Sequence, residues 1–178
     1  MTAPAKFAHL ALHTSDVETA KEWYLKVLDA RVMFQNELLC FMSYDDEHHR
    51  VVLVNNPSYV APETHIGFKT PVINSALHHF TFTFASLDDL LNQYNTLKEH
   101  GIVPTMCLNH GPTLSMYYQD PMNNAVELQI DTMLMEQAFE FMNSELFLKN
   151  PIGQVFNPDE LSEQRKAGAT FNDIVAWR

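Results

Sequence analysis

The stretch Leu77–Gly101, "LHHFTFTFASLDDLLNQYNTLKEHG", changes its period halfway along. Up to Phe84, aromatic and β-branched side chains alternate with no breaker, which is a strand pattern. Ser86 then opens a run with apolar residues at helical spacing, Asp89 stands at the capping-box position, and Gly101 closes the run. A strand passing into an amphipathic helix begins a β-α unit. Downstream, "VPTMCL" reads as a strand, and "TLSMYYQ" and "AVELQI" as a hairpin around "DPMNN". Asn tolerates the left-handed backbone such a turn needs.

The same order precedes it. "KFAHLALHT" alternates like a strand. "SDVETAKEWYLKVL" follows with Ser15 and Glu18 as an S-x-x-E capping box and an apolar stripe of Val17, Ala20, Trp23, Tyr24 and Val27. "ARVMF", "ELLCFMSY" and "HRVVLV" are three further strands. The chain is therefore expected to be α+β: two β-α-β-β-β modules forming an open, cupped mixed sheet, with a C-terminal helical tail. Within a single domain, 1–178, module one spans 5–57, a linker 58–75, module two 76–131 and the tail 132–178. The linker holds Pro62 and Pro71 just after Pro57 and is long enough to form a wall or lid. In the tail, "TMLMEQAFEFMNSEL" predicts one helix. Asn157, Pro158 and Gly168 mark the cap, first residue and end of another.

Of 178 residues, 46% are apolar, enough for a core, and the formal charge is −11. That charge opposes binding to nucleic acid or an anionic membrane, which need clustered Lys and Arg. No apolar stretch approaches a membrane span, and the start shows no signal sequence. Cys40 and Cys107 lack any CxxC spacing and read as buried thiols of a cytoplasmic protein. Nine histidines is a high count, and imidazole is both a common metal ligand and the side chain best suited to proton transfer near neutral pH.

Three positions share a logic. His9 lies in the first strand of module one, His78 or His79 in the matching strand of module two, and Glu127 between apolar neighbours in "AVELQ". A carboxylate is costly to bury unless it is paired or holds a metal. Two histidines and a carboxylate on separate strands can form the facial triad of non-haem Fe(II). Hydrogen-bonded core histidines and a solvent-facing glutamate would give the same letters, so the residues alone leave both readings open. Alternation groups His78 with Phe80, Phe82 and Phe84, and His79 with Thr81 and Thr83, without saying which face lines the cup.

The paired modules, "ALHHFTFTFASLDDL" and "SMYYQDPMNNAVELQ", resemble the vicinal oxygen chelate superfamily. Within it they resemble one-domain type I extradiol ring-cleavage dioxygenases of the 2,3-dihydroxybiphenyl 1,2-dioxygenase kind. The likeness covers about residues 5–131, and the tail segment "NPIGQVFNPDEL" is similar to one-domain relatives. It implies His9, His78 and Glu127 as metal ligands, with His79 a structural or outer residue on the opposite face. It implies His48 of "DDEHHRVVL" as the dioxygen-side histidine, Tyr117 as an acid–base tyrosine and His110 as a substrate-side histidine. "HGPTLS" is about two residues shorter than the biphenyl-type loop, and Asn stands where "DPxGN" has Gly. The implied cofactor is Fe(II), with Mn(II) able to replace it. The implied reactants are a small aromatic diol and O2, in the breakdown of aromatic compounds. Without a second module pair to cover the sheet edges, a homo-oligomer is expected, with "MLMEQAFEFM" taking part.

Three other functions fit the same fold. A glyoxalase-type isomerase wants a second Glu in module one, and "HRVVLVNNP" has no acid at a matching place. A fosfomycin-type thiol transferase shares the two-His, one-Glu set but leaves His48 and Tyr117 idle. A metal-free module that sequesters a small molecule needs none of the three ligands.

Overall fold

The computed structural model describes residues 3–62 and 77–177; most of the expected linker lies outside them. The chain divides into two compact units. One comprises Met1–Thr64 with the turn Asp120–Asn123; the other comprises His65–Gln119 and Asn124–Arg178. The β-α-β-β-β order expected of each module is present in each.

In the first unit, β1 (Leu10–Thr14) leads to helix α1 (Val17–Val27), then β2 (Arg31–Gln35), β3 (Leu39–Ser43) and β4 (Val51–Asn55). The sheet order is β1-β4-β3-β2, with β1 parallel to β4 and the other pairs antiparallel. α1 buries Ala20, Tyr24 and Val27, three residues of the expected stripe. Its cap is Asp16 rather than Ser15: the carboxylate accepts from the Thr19 amide at 3.0 Å and the Thr19 hydroxyl at 2.7 Å. A carboxylate offers two acceptor oxygens next to the positive helix end, where a hydroxyl offers one.

The second unit repeats the plan. β5 (Phe80–Thr83), helix α2 (Leu87–Glu99), β6 (Met106–Asn109), β7 (Thr113–Gln119) and β8 (Ala125–Asp131) give the order β5-β8-β7-β6, with β5 parallel to β8. Ser86 caps α2 by accepting from the Asp89 amide, and Leu87, Leu90, Leu91, Tyr94 and Leu97 bury its inner face. Each such leucine removed from water contributes about 1.5–3 kcal/mol. Asn123 takes φ 66° in the β7–β8 turn, as its letter predicts.

The tail departs from expectation in two places. The single helix foreseen after Asp131 is broken into α3 (Met135–Met142) and α4 (Glu145–Lys149), because the Ser144 hydroxyl accepts from the Phe147 amide and starts a new helix. A short strand, β9 (Gln154–Val155), then adds to the sheet against β6. Two residues carry no readable period, so nothing in the letters announces it. α5 (Pro158–Lys166) begins where predicted, with Asn157 as cap and Pro158 first, and α6 (Phe171–Val175) follows.

Candidate active site

Glu127 sits in the middle of β8, 4% exposed, between buried Val126 and Leu128. Its cross-strand partners are Thr81 on β5 and Tyr117 on β7. The Thr81 hydroxyl donates to Oε2 at 2.6 Å, and His79 Nε2 lies 3.1 Å from the same oxygen. Burial pushes the Glu127 pKa up. Hydrogen bonds from His79, Ser115, Thr81 and Tyr117 outweigh it and bring the pKa down to about 2, so these donors keep the buried carboxylate charged.

Beside it lies a phenol–imidazole pair. The Tyr117 hydroxyl and His110 Nε2 are 2.9 Å apart, and the His79 ring meets Tyr117 edge-on at 5.5 Å between centroids. Burial, then the Glu127 charge, raises the Tyr117 pKa and holds its proton. Burial also lowers the His110 pKa, which favours the neutral ring, while a hydrogen bond to the Ile152 backbone acts the other way. His110, which the shortened "HGPTLS" loop left the least anchored, thus lies within hydrogen-bond reach of Tyr117.

His79 takes the place by the carboxylate that the resemblance implied for His78. Thr81 meets Glu127, so the face shared by His79, Thr81 and Thr83 is the carboxylate's face. Alternation divided the pair between two faces but could not say which side meets Glu127. His78 packs behind, its Nδ1 2.6 Å from Nδ1 of His79.

In the first unit, His9 immediately precedes β1, as His79 immediately precedes β5. The ring in contact with His9 is that of His49, at 4.6 Å between centroids. His49 also stacks on Phe41 of β3 at 4.7 Å and 24°. Burial, then the neighbouring His48 and His9, lowers its pKa. His48 hydrogen-bonds His49 through Nδ1, but its side chain is 74% exposed and its Nε2 faces Glu47. The resemblance pointed to His48; the ring packed against His9 and Phe41 is that of His49. Arg50 holds this turn: it pairs with Asp45 at 2.8 Å and donates to the carbonyls of Phe7 and Ala8 at 2.7 and 3.1 Å. The turn and the residues leading to His9 are therefore tied by one guanidinium.

The repeat also locates the position an isomerase would need. Thr81 pairs with Glu127 in one unit, and Ala11, the equivalent of Thr81, pairs with Val52 in the other. An aliphatic side chain stands where a second ligating carboxylate would be. Among the described residues, neither unit by itself gathers three His, Cys, Asp or Glu side chains able to hold an ion; the second brings together the pair His79 and Glu127.

Two β-α-β-β-β modules, with a histidine before each first strand and a carboxylate on the last, define a class. The chain belongs to the Glyoxalase/Bleomycin resistance protein/Dioxygenase superfamily, which it matches over residues 6–128. It is 41% identical to biphenyl-2,3-diol 1,2-dioxygenase 2 of Rhodococcus globerulus, an alignment covering 99% of this chain and 91% of that protein. It is 39% identical to biphenyl-2,3-diol 1,2-dioxygenase 3 of the same organism, over 99% and 92%. The fold is shared with lactoylglutathione lyase from Agrobacterium tumefaciens (TM-score 0.54, 17% identity, 72% of this chain and 96% of that one). A fosfomycin resistance protein from Listeria monocytogenes shares it too (TM-score 0.56, 14% identity, 76% and 98%).

Proposed function

We propose that the chain is an extradiol dioxygenase that opens the ring of a small aromatic diol with O2 at a non-haem Fe(II) centre. The observation that carries this reading is the cluster on β5, β7 and β8: a charged, buried Glu127 within reach of His79, with the Tyr117–His110 pair beside it. The likeness to two biphenyl-diol dioxygenases along nearly the whole chain supports it.

The donor set suits the metal. Glu127 is kept ionised by its hydrogen bonds, and His79 presents Nε2 to the carboxylate's edge. His9 of the first module, at the matching place in the repeat, completes a two-histidine, one-carboxylate set in this reading, with His79 replacing His78. When bound, Fe(II) in such a set offers open positions to the diol oxygens and O2 and lowers the diol's pKa. Mn(II) accepts the same ligands.

The protein's own groups handle the protons. Neutral His110, with Nε2 turned to the Tyr117 hydroxyl, can draw a proton from the diol through the phenol. Ionised Glu127 opposes build-up of negative charge on Tyr117, so the phenol relays the proton rather than keeping a charge. His49, packed between His9 and Phe41, takes the role first assigned to His48: supplying a proton on the oxygen side. Its lowered pKa leaves a neutral ring that can accept a proton and give it back. A thiol transferase would have no use for either arrangement.

The same reading includes assembly and place. Leu134, Met135, Phe139, Leu146 and Leu148 of α3, α4 and the residue before α3 are 57–75% exposed, which supports a homo-oligomer. Cys40 and Cys107 are buried free thiols, which supports a cytoplasmic setting. No helix among the described residues is long and apolar enough to cross a membrane, and the −11 charge opposes nucleic acid as a partner.

The test is anaerobic loading with Fe(II), addition of substituted catechols, then admission of air. A yellow ring-opened product that is lost in His79→Ala supports the reading. Iron-loaded protein that consumes no O2 with any catechol contradicts it.

A further inference from the structure

Thr81 and Ala11 hold the same place in the repeat, each two residues after the histidine that precedes its unit's first strand. Ala11 stands opposite Val52 on β4, and Thr81 stands opposite Glu127 on β8. The hydroxyl thus occurs on the strand that has a carboxylate across from it. Thr81 has no need of that partner for its own sake: the residue is exposed, and water satisfies an exposed hydroxyl. Its hydroxyl nonetheless donates to Glu127 Oε2 at 2.6 Å.

That oxygen is the one nearest His79, 3.1 Å from Nε2. Two ligands at right angles on one octahedral ion, each about 2.1 Å from it, stand about 3.0 Å apart. The oxygen that Thr81 holds is therefore at ligand spacing from the imidazole. The two side chains bring different freedoms to this arrangement. Glutamate turns about several side-chain bonds and loses that freedom on becoming a ligand. Threonine is short, and its branched Cβ narrows its choice of rotamer. Its backbone is fixed as well, because β5 and β8 run in register through Phe80–Val126, Thr81–Glu127 and Phe82–Leu128. A short, stiff donor on a paired strand thus holds the end of a longer, looser acceptor.

We infer that Thr81 is a positioning residue for the metal: its hydroxyl holds Glu127 Oε2 beside His79 Nε2, so that the carboxylate is set in place for an ion before the ion arrives. Thr81 acts through Glu127 and not on substrate. Without the hydroxyl, the carboxylate must be ordered at the moment of binding, and affinity falls by that cost. The inference rests on the proposed function only in placing an ion at His79 and Glu127; it does not depend on what the ion then does.

Two variants of the full chain test it. Thr81→Val matches threonine in shape and branching and lacks the hydroxyl. Thr81→Ser keeps the hydroxyl and loses the methyl group. The probe is Mn(II), titrated into metal-free protein and followed by loss of the sharp EPR signal of the free ion, with no catechol and no turnover. Thr81→Val should bind Mn(II) about 10–100-fold more weakly than wild type, the usual worth of a hydrogen-bond partner to a metal ligand. Thr81→Ser should recover most of that loss. A urea midpoint measured on the metal-free proteins separates affinity from folding. A Thr81→Val protein that binds Mn(II) as tightly as wild type, whatever its midpoint, overturns the inference. So does a Thr81→Ser protein as weak as Thr81→Val, because packing and not the hydroxyl would then matter. If the affinities behave as expected but the Fe(II)-loaded wild type turns over no catechol, the positioning stands and the dioxygenase reading falls. A wild type that binds neither Mn(II) nor Fe(II) removes both.

Discussion

His79 Nε2 lies 3.1 Å from Glu127 Oε2, although the two residues stand 48 positions apart and on different strands. The parallel register of β5 and β8 places Thr81 opposite Glu127, and the residue two earlier on the same face is His79. In the proposed reading this buried carboxylate and imidazole are two of the three metal ligands, and their contact separates the two histidines of the pair. Loaded anaerobically with Fe(II) and desalted, His79→Ala and Glu127→Gln should retain almost no iron by elemental analysis. His78→Ala should retain most of it, because its ring lies behind His79. Equal loss in His78→Ala would return the ligand role to that residue.

The second histidine pair makes the same distinction. His49 is packed against His9 and Phe41, whereas the His48 side chain is 74% exposed. His49→Ala should keep its iron and lose turnover by about 10²–10⁴-fold, the usual worth of a placed acid–base group. His48→Ala should fall within a few-fold of wild type. Steady-state kcat with iron content measured in parallel checks both.

Arg50 and Asp45 give a pH dependence. Hydrogen bonds from the Arg50 guanidinium hold the Asp45 carboxyl at about 2 against an ordinary value of 3.8. The folded value lies below the unfolded one, so the bridge stabilises the protein fully above about pH 4 and the gain is lost as pH falls towards 2. The pair is partly open to solvent, so its worth is about 1 kcal/mol. Asp45→Asn should lower the urea midpoint at pH 7 and lose less than wild type on going to pH 3. Parallel curves for the two proteins across that range would contradict this. Because Arg50 also ties the chain before His9, Arg50→Ala should weaken iron retention as well.

The exposed apolar face of α3 supplies a fourth expectation. Light scattering at micromolar concentration should show a homo-oligomer, and Phe139→Glu with Met135→Lys should shift it towards the monomer without unfolding it. A monomeric wild type would remove assembly from the account.

Much of this was legible in the letters, and the failures share a cause. Period and punctuation gave both modules, the α2 cap at Ser86, the Asn123 turn and the start of α5 at Asn157 and Pro158. Glu127 stood out because a carboxylate among apolar strand neighbours needs partners, and it has them; Tyr117 and His110 came from the resemblance alone, and the structure puts the two within hydrogen-bond reach of each other. For both histidine pairs the resemblance pointed to the first residue, whereas the structure sets the second one against Glu127 in one case, His79, and against His9 and Phe41 in the other, His49. Alternation divides a pair between two faces, but only contacts with other elements show which groups each face meets: Glu127 for His79, and Phe41 for His49. β9 was invisible because a two-residue strand is created by its partner, β6, rather than by its own sequence. The Asp16 cap was missed because a capping box counts spacing and not acceptor strength.

The central claim is that the chain inserts O2 into an aromatic ring. The most direct measurement is a turnover of a catechol by the Fe(II)-loaded protein under 18O2, quenched before exchange with water and weighed by mass spectrometry. The account predicts a ring-opened product carrying both labelled oxygen atoms. A product with no label, or one formed equally well without O2, would contradict it.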